Sequence, residues 1–245
     1  MKTKINLLSA LLLVGALFTS FVNAQEKETY GMAELSFMMP KVGMEIAFEN
    51  AIKEHNNLYH KDSPYKASLD KIITGEQTGW YAWLMGPCTF TDLDKRPVSA
   101  AHDKHWDDKV SPTIAKYGSN EYWKHNPKLS YQSGSEGAKL EEIWFLDLKR
   151  GDYYRFKELM TKIKGAFEKK GDGHMHVYEN QFGENNGRDV AVVWGMNGWA
   201  DFDKDNGGIK KEYEEMNGEG TWQNAMDEWE EITESIVRQV WKIGI

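Results

Sequence analysis

The sequence predicts an α+β protein made of two tandem βαββαβ units whose sheets pack against each other. Three observations carry this: a pattern that recurs at a spacing of about 108 residues, the same order of apolar periodicities in each copy, and a Gly/Ser-rich connector between the copies.

The recurrence places Met32–Gly43 over Leu140–Gly151. Glu34 meets Glu142, Phe37 meets Phe145, Lys41 meets Lys149 and Gly43 meets Gly151. Further on, Trp80–Gly86 lies over Asp189–Gly195, and Asp92-Leu-Asp94 over Asp201-Phe-Asp203, after a single insertion. In the first copy, Met32 to Met39 alternates as a strand with Leu35, Phe37 and Met39 on one face. Gly43 to Tyr59 has helical spacing, its stripe running through Met44, Ala47, Ala51, Ile52, His55 and Leu58. Tyr65–Ile73 and Trp80–Met85 are expected as strands around a turn. An irregular helical region is expected from Asp92 to Trp123, and a closing strand at Lys128–Tyr131. In the second copy the expected strands are Glu141–Leu148, His174–Phe182, Asp189–Trp194 and Val240–Ile243. The expected helices are Asp152–Lys169 and Thr221–Arg238.

This order is the ferredoxin-like one. Such a unit has helices on one sheet face only, and the other face here is apolar. Two units can bury those faces together as a pseudo-dimeric barrel. The expected boundaries are 1–24 for a signal peptide, 25–132 for the first repeat, 133–138 for a linker around Ser133-Gly-Ser-Glu-Gly137, and 139–245 for the second repeat.

The first 24 residues read as an export signal. Lys2 and Lys4 precede an apolar core, and Val22-Asn23-Ala24 fits a cleavage site, so the mature chain starts at Gln25 in the periplasm or outside the cell. Removing this segment takes two lysines and no acid, moving the net charge from −8 to −10. An acidic surface of that size argues against nucleic acid as a partner. No other apolar run is long enough to span a bilayer. The single cysteine, Cys88, follows an apolar strand, where a small buried residue is expected; with one thiol the chain has no internal disulfide.

A strand, then Lys-x-Gly (Lys41-Val-Gly43, Lys149-Arg-Gly151), then an amphipathic helix, a hairpin and a second helix resemble the dimeric α+β barrel superfamily, in its antibiotic-biosynthesis-monooxygenase-like and NIPSNAP-like forms. The resemblance covers nearly the whole mature chain, once per half. It implies a barrel, and a superfamily that includes oxygenases, haem-binding enzymes and proteins of no known activity.

Several residue sets could carry chemistry. His102 and His105 fall on one helical face, and His174 and His176 on one strand face. Either pair could offer nitrogens to a metal, with Asp103 or Asp107 adding oxygen, or supply an axial haem ligand. The ordinary alternative is surface histidines of an acidic protein. Asp201, Asp203, Asp205 and Glu212 occupy positions 1, 3, 5 and 12 of a window with the oxygen spacing of a calcium loop. Asn206 and Gly208 depart from that pattern, and a solvated, capped loop is the alternative. Trp80, Trp83, Trp144 and Trp194, with His174 and His176, are candidates to line a pocket for a small apolar ligand; core packing is the alternative. No nucleophile elbow, phosphate loop or dinucleotide fingerprint is present. Two functions stay open: a non-catalytic exported module binding a small molecule in an aromatic-lined barrel, and a cofactor-independent or haem-dependent oxygenase.

Overall fold

A computed structural model describes residues 30–97, 99–132, 137–183, 187–204 and 208–245. The proposed signal segment and residues 133–136 of the connector lie outside the described residues. The elements run β1 (Met32–Pro40), α1 (Glu45–Tyr59), β2 (Ala67–Ile72), β3 (Tyr81–Cys88), α2 (Phe90–Asp94), α3 (Ala100–His105), β4 (Ile114–His125), β5 (Tyr131–Gln132), β6 (Leu140–Leu148), α4 (Tyr153–Lys170), β7 (His174–Asn180), β8 (Val190–Met196), α5 (Lys210–Asn217), α6 (Thr221–Ile232) and β9 (Thr233–Lys242). No helix among the described residues is long and apolar enough to cross a membrane.

The strands form one antiparallel sheet in the order β4-β1-β3-β2-β9-β6-β8-β7-β5, and β4 also pairs with β7. That last pairing closes eight strands into a ring. The two halves therefore do not stack as separate sheets. Their edges are hydrogen-bonded through Lys71↔Lys242 and Ile72↔Trp241 on one seam, and through Trp123↔Asn180, Lys124↔Glu179 and His125↔Tyr178 on the other. Closure satisfies the edge donors and acceptors that two stacked sheets would leave bare.

Strand alternation sorts side chains onto two sides of this ring. Leu35, Phe37, Ile72, Ala82, Trp123, Ile143, Phe145, Ala191, Val193 and Trp241 form a core inside it. Outside, Phe48 and Ile52 of α1 cover Met38, Leu69, Tyr81 and Met85. Phe156, Leu159, Met160 and Ile163 of α4 cover Leu146, Val177, Val190 and Val192, with Tyr213 of α5 and Ala225 and Ile232 of α6.

Three expected elements are corrected. The second part of the Asp92–Trp123 region is not helical: α2, α3, a π-helical turn at Trp106–Val110 and a 3-10 turn at Ser111–Thr113 give way to β4. Ring closure needs that strand, and its Gly118 has no Cβ because one would meet Phe37 and Trp80 at 2.9 Å. The residues expected to close the first half, Lys128–Tyr131, supply only the short β5 on the edge of β7. The last helix ends at Ile232, not Arg238, because Thr233 to Arg238 pairs along β6; β-branched Thr233, Ile236 and Val237 suit a strand.

Two acids, Asp70 and Glu141, line the cavity inside the ring. Burial pushes the Asp70 carboxyl up to about 6, opposed by the Gly244 N–H that it accepts. Burial and neighbouring Asp70 push Glu141 up to about 7. Both folded-state values lie above the unfolded ones of about 4, so the folded state holds these protons longer. Their contribution to stability is present at acid pH and is lost as pH rises from about 4 to about 7, on the order of 3 kcal/mol per group. Buried His55 and His60 and half-buried His125, His174 and His176 are depressed by desolvation and act in the opposite direction, losing stability as pH falls. The difference between wild type and an Asp70→Asn/Glu141→Gln variant isolates the acids. In urea melts the variant should gain on wild type as pH rises through that window; parallel pH profiles would contradict the assignment. Phe145, 2% exposed, should cost about 3–5 kcal/mol on truncation to alanine, against almost nothing for Val42, 95% exposed.

Candidate metal centre

Four of the seven histidines converge on the outer face of the first half. His55 lies on the buried stripe of α1, one turn after Ile52 and two after Phe48. His60 follows the end of the same helix, where the chain leaves helical geometry (φ −133°) and its ring turns back toward His55. α3 starts at Ser99, whose hydroxyl accepts the His102 N–H, and it presents His102 and His105 on one face. Trp106 and Trp83 wall the cluster edge-on, with ring centroids 5.0 Å from His55 and His60 respectively.

The Nε2 atoms of His55 and His60 each lie 3.1 Å from Nε2 of His102. Ligands spaced tetrahedrally around one ion at about 2.05 Å would be about 3.3 Å apart. Among the described residues these three form the one group of three or more His, Cys, Asp or Glu side chains within common ligating distance.

The outer nitrogens fix what the inner ones can do. His60 Nδ1 donates to the Tyr65 carbonyl at 3.0 Å, and His102 Nδ1 to Asp103 Oδ1 at 2.9 Å. In the neutral rings that leaves a lone pair on each Nε2, and the two lone pairs face each other. His55 Nδ1 meets His105 Nδ1 at 3.2 Å, and His105 Nε2 faces Glu54 at 3.5 Å. Each inner nitrogen therefore has a partner behind it that orients the ring, as metal-ligating histidines do. Burial, with the neighbouring rings of His102, His60 and His105 adding to it, lowers His55 to about 3, and His60 is lowered by burial first. Burial thus favours neutral imidazoles at His55 and His60, the form in which a histidine ligates a metal ion. The cluster borders a pocket of about 430 Å³ shared with Glu34, Arg96, Asp107, Tyr117 and Asn120. Arg96 pairs with Glu34, while its buried Nε has no hydrogen-bond partner.

His102 and His105 were legible as a pair; His55 read as part of an apolar stripe, and His60 carried no periodic signal. The other expected residues lie elsewhere. Trp83 borders the histidine cluster. Trp144 and Trp194 pack on each other at 4.9 Å on the helix-covered face, and Trp80 is half-buried beside the interior core. None of the four lines the large interior cavity, whose aromatic residues are Trp123, Phe145, Tyr178 and Trp241. His174 and Trp194 share a pocket of about 460 Å³ with Asp201. Asp201 is engaged by Lys204 and the Asn197 N–H, Glu212 lies in the first turn of α5, and Asp205 lies outside the described residues. Among the described residues Asp201, Asp203 and Glu212 form no ligating group. Cys88 is buried, its thiol against the Met32 carbonyl.

The remaining three histidines, His125, His174 and His176, lie on β4 and β7. His174 Nε2 accepts the Gly195 N–H at 2.5 Å, and His176 Nδ1 lies 3.4 Å from His125 Nε2. The nitrogens of the larger cluster face one another, which suits a single ion and not one axial bond to a flat macrocycle.

No protein-family model and no curated protein matches this sequence. Solved structures do. A candidate monooxygenase from Lactobacillus acidophilus NCFM superposes with a TM-score of 0.54 at 8% identity, covering 88% of this chain and 94% of the other. A chlorite dismutase from Candidatus Nitrospira defluvii, solved with imidazole, gives 0.53 at 7% identity, covering 88% and 91%. An anthrone oxidase-like protein gives 0.51 at 8%, covering 89% and 93%. At such identities the likeness concerns the backbone alone: this chain has the fold of the dimeric α+β barrel proteins.

Proposed function

We propose that the protein is a metalloprotein whose His55, His60 and His102 hold one transition-metal ion beside the Glu34–Arg96 pocket. The observation that carries this is the meeting of three Nε2 atoms with a polar partner behind each ring. Imidazole donors suit zinc, copper, nickel or iron over calcium or magnesium. Three protein ligands leave a coordination position for water or substrate, the arrangement of catalytic and not structural zinc sites. Arg96, on the wall of that pocket, would hold an oxygen-bearing group of a small substrate. The neighbours' names, monooxygenase and chlorite dismutase, agree with small-molecule chemistry on this fold but do not supply the reaction.

Elemental analysis after chelation, reloading with zinc or copper and gel filtration should find one ion per chain. His55→Ala, His60→Ala and His102→Ala should each abolish retention, and Asp103→Asn should weaken affinity about 10–100-fold. Wild type that retains no ion would overturn the proposal.

A second reading is favoured by the interior cavity of about 600 Å³: a small-molecule site in the barrel, independent of the metal. The domain reading is a duplication. Its support is the strand order 4-1-3-2 in each half and a shared detail of the two closing strands, where Trp123 Nε1 donates to Glu121 and Trp241 Nε1 to Gln239, each two residues back. Export remains part of the proposal. Mass spectrometry of protein from its native cell should find the chain starting at Gln25; a chain retaining Met1 would refute cleavage after Ala24.

A further inference from the structure

The interior cavity is hydrocarbon except at one place. Leu35, Leu84, Ile143, Ala191 and Val193 line it with the four aromatics, while Asp70, Glu141, Ser68 and Tyr178 bring the polar atoms. The Asp70 carboxylate accepts the Gly244 N–H, where the C-terminal tail crosses. Glu141 is half-buried on the cavity wall, and no hydrogen bond or ion pair of its carboxyl is found among the described residues. An unpaired acid beside a second acid is costly to bury without a cation.

A hard metal ion is a poor match. Calcium takes about six to eight oxygens and magnesium near-ideal octahedral geometry, and the walls here are mostly carbon. A cation with a hydrocarbon body meets both demands. Its charge offsets the acids, its N–H groups donate to them, and its apolar part and charge suit aromatic faces.

We propose that the barrel interior binds an organic amine, its ammonium group held by Asp70 and Glu141 and its apolar body packed against Trp123, Phe145, Tyr178 and Trp241. This rests on the interior being a ligand site and does not depend on the metal centre. The titratable groups lining the cavity are Asp70, Glu141 and Tyr178; burial pushes the Tyr178 phenol up to about 12, so it stays a neutral donor. Binding therefore requires the two acids to give up their protons.

The test is calorimetric titration of the chelator-treated full chain with phenethylamine, 2-phenylethanol and phenylacetate at about pH 8, where both acids are ionised. Phenethylamine should bind at least about tenfold more tightly than the alcohol, and phenylacetate more weakly than either. Asp70→Asn/Glu141→Gln should erase the preference for the amine while retaining the alcohol. A second measurement needs no variant. At about pH 6.5, titrations in buffers of different ionisation enthalpy should show proton release with the amine and none with the alcohol. Equal binding of amine and alcohol, or binding without proton release, would overturn the cation assignment and leave the interior site standing. Failure of all three probes to bind would overturn both.

Discussion

The fold depends on closing its ring, and the ring closes over a buried ion pair. Glu121 of β4 and Arg188, just before β8, come from opposite halves. Both guanidinium contacts go to one carboxylate oxygen, at 3.1 and 2.9 Å. The other oxygen accepts the Ser119 hydroxyl, and the Trp123 indole N–H adds a further donor. The guanidinium lies 3.6 Å over the Phe145 ring. Breaking such a pair by removing one partner costs far more than the intact pair contributes, because the remaining charge stays buried. Its place beside the β4–β7 seam makes it a test of register: a slipped seam would strand both charges. The second seam, β2–β9, has a neutral counterpart in the Trp241–Gln239–Gln77 hydrogen bonds.

Closure also decides where chemistry can sit. In a ring, each strand residue faces either the interior or the helices. On β1, Leu35 enters the interior cavity, while Glu34 and Ser36, one step either side, border the histidine pocket. One strand thus separates the two proposed sites by the thickness of a sheet. A rigid strand positions a side chain better than a loop, and β1 is hydrogen-bonded on both edges, to β3 and β4.

What the sequence reveals follows from how local each signal is. The strand β1, the helices α1 and α4 and the hairpin β2–β3 appear within three residues of their places, because period-2 and period-3.6 patterns are local. β4 does not, because its Lys116–Asn120 stretch is polar and acquires strand pairing from β1, far away in sequence. The histidine centre was half visible. His102 and His105 share one helical turn, whereas His55 and His60 are five apart, a spacing that no regular helix places on one face. They meet only because α1 stops at Tyr59. The tryptophans show the limit of composition: Trp144 follows Ile143 and precedes Phe145, and alternation alone sends it to the helices and those two inside.

The two halves differ where the metal is proposed. At the spacing that relates Gly43 to Gly151, His55 falls opposite Ile163, a member of the apolar core under α4. The second half keeps hydrocarbon at the position where the first half buries an imidazole. An isolated polar ring there would cost stability, since each buried nitrogen needs a partner. The first half meets part of that demand with three more histidines, Asp103 and the Tyr65 carbonyl, yet His105 Nε2 has no hydrogen-bond partner and two lone pairs still face each other across 3.1 Å. A structural role for the cluster would be served better by an aliphatic residue, as Ile163 does in the other half. The arrangement makes physical sense as a site that gives up packing energy for ligand geometry, and an ion bound to the folded chain alone would return stability in proportion to the logarithm of its concentration over its dissociation constant.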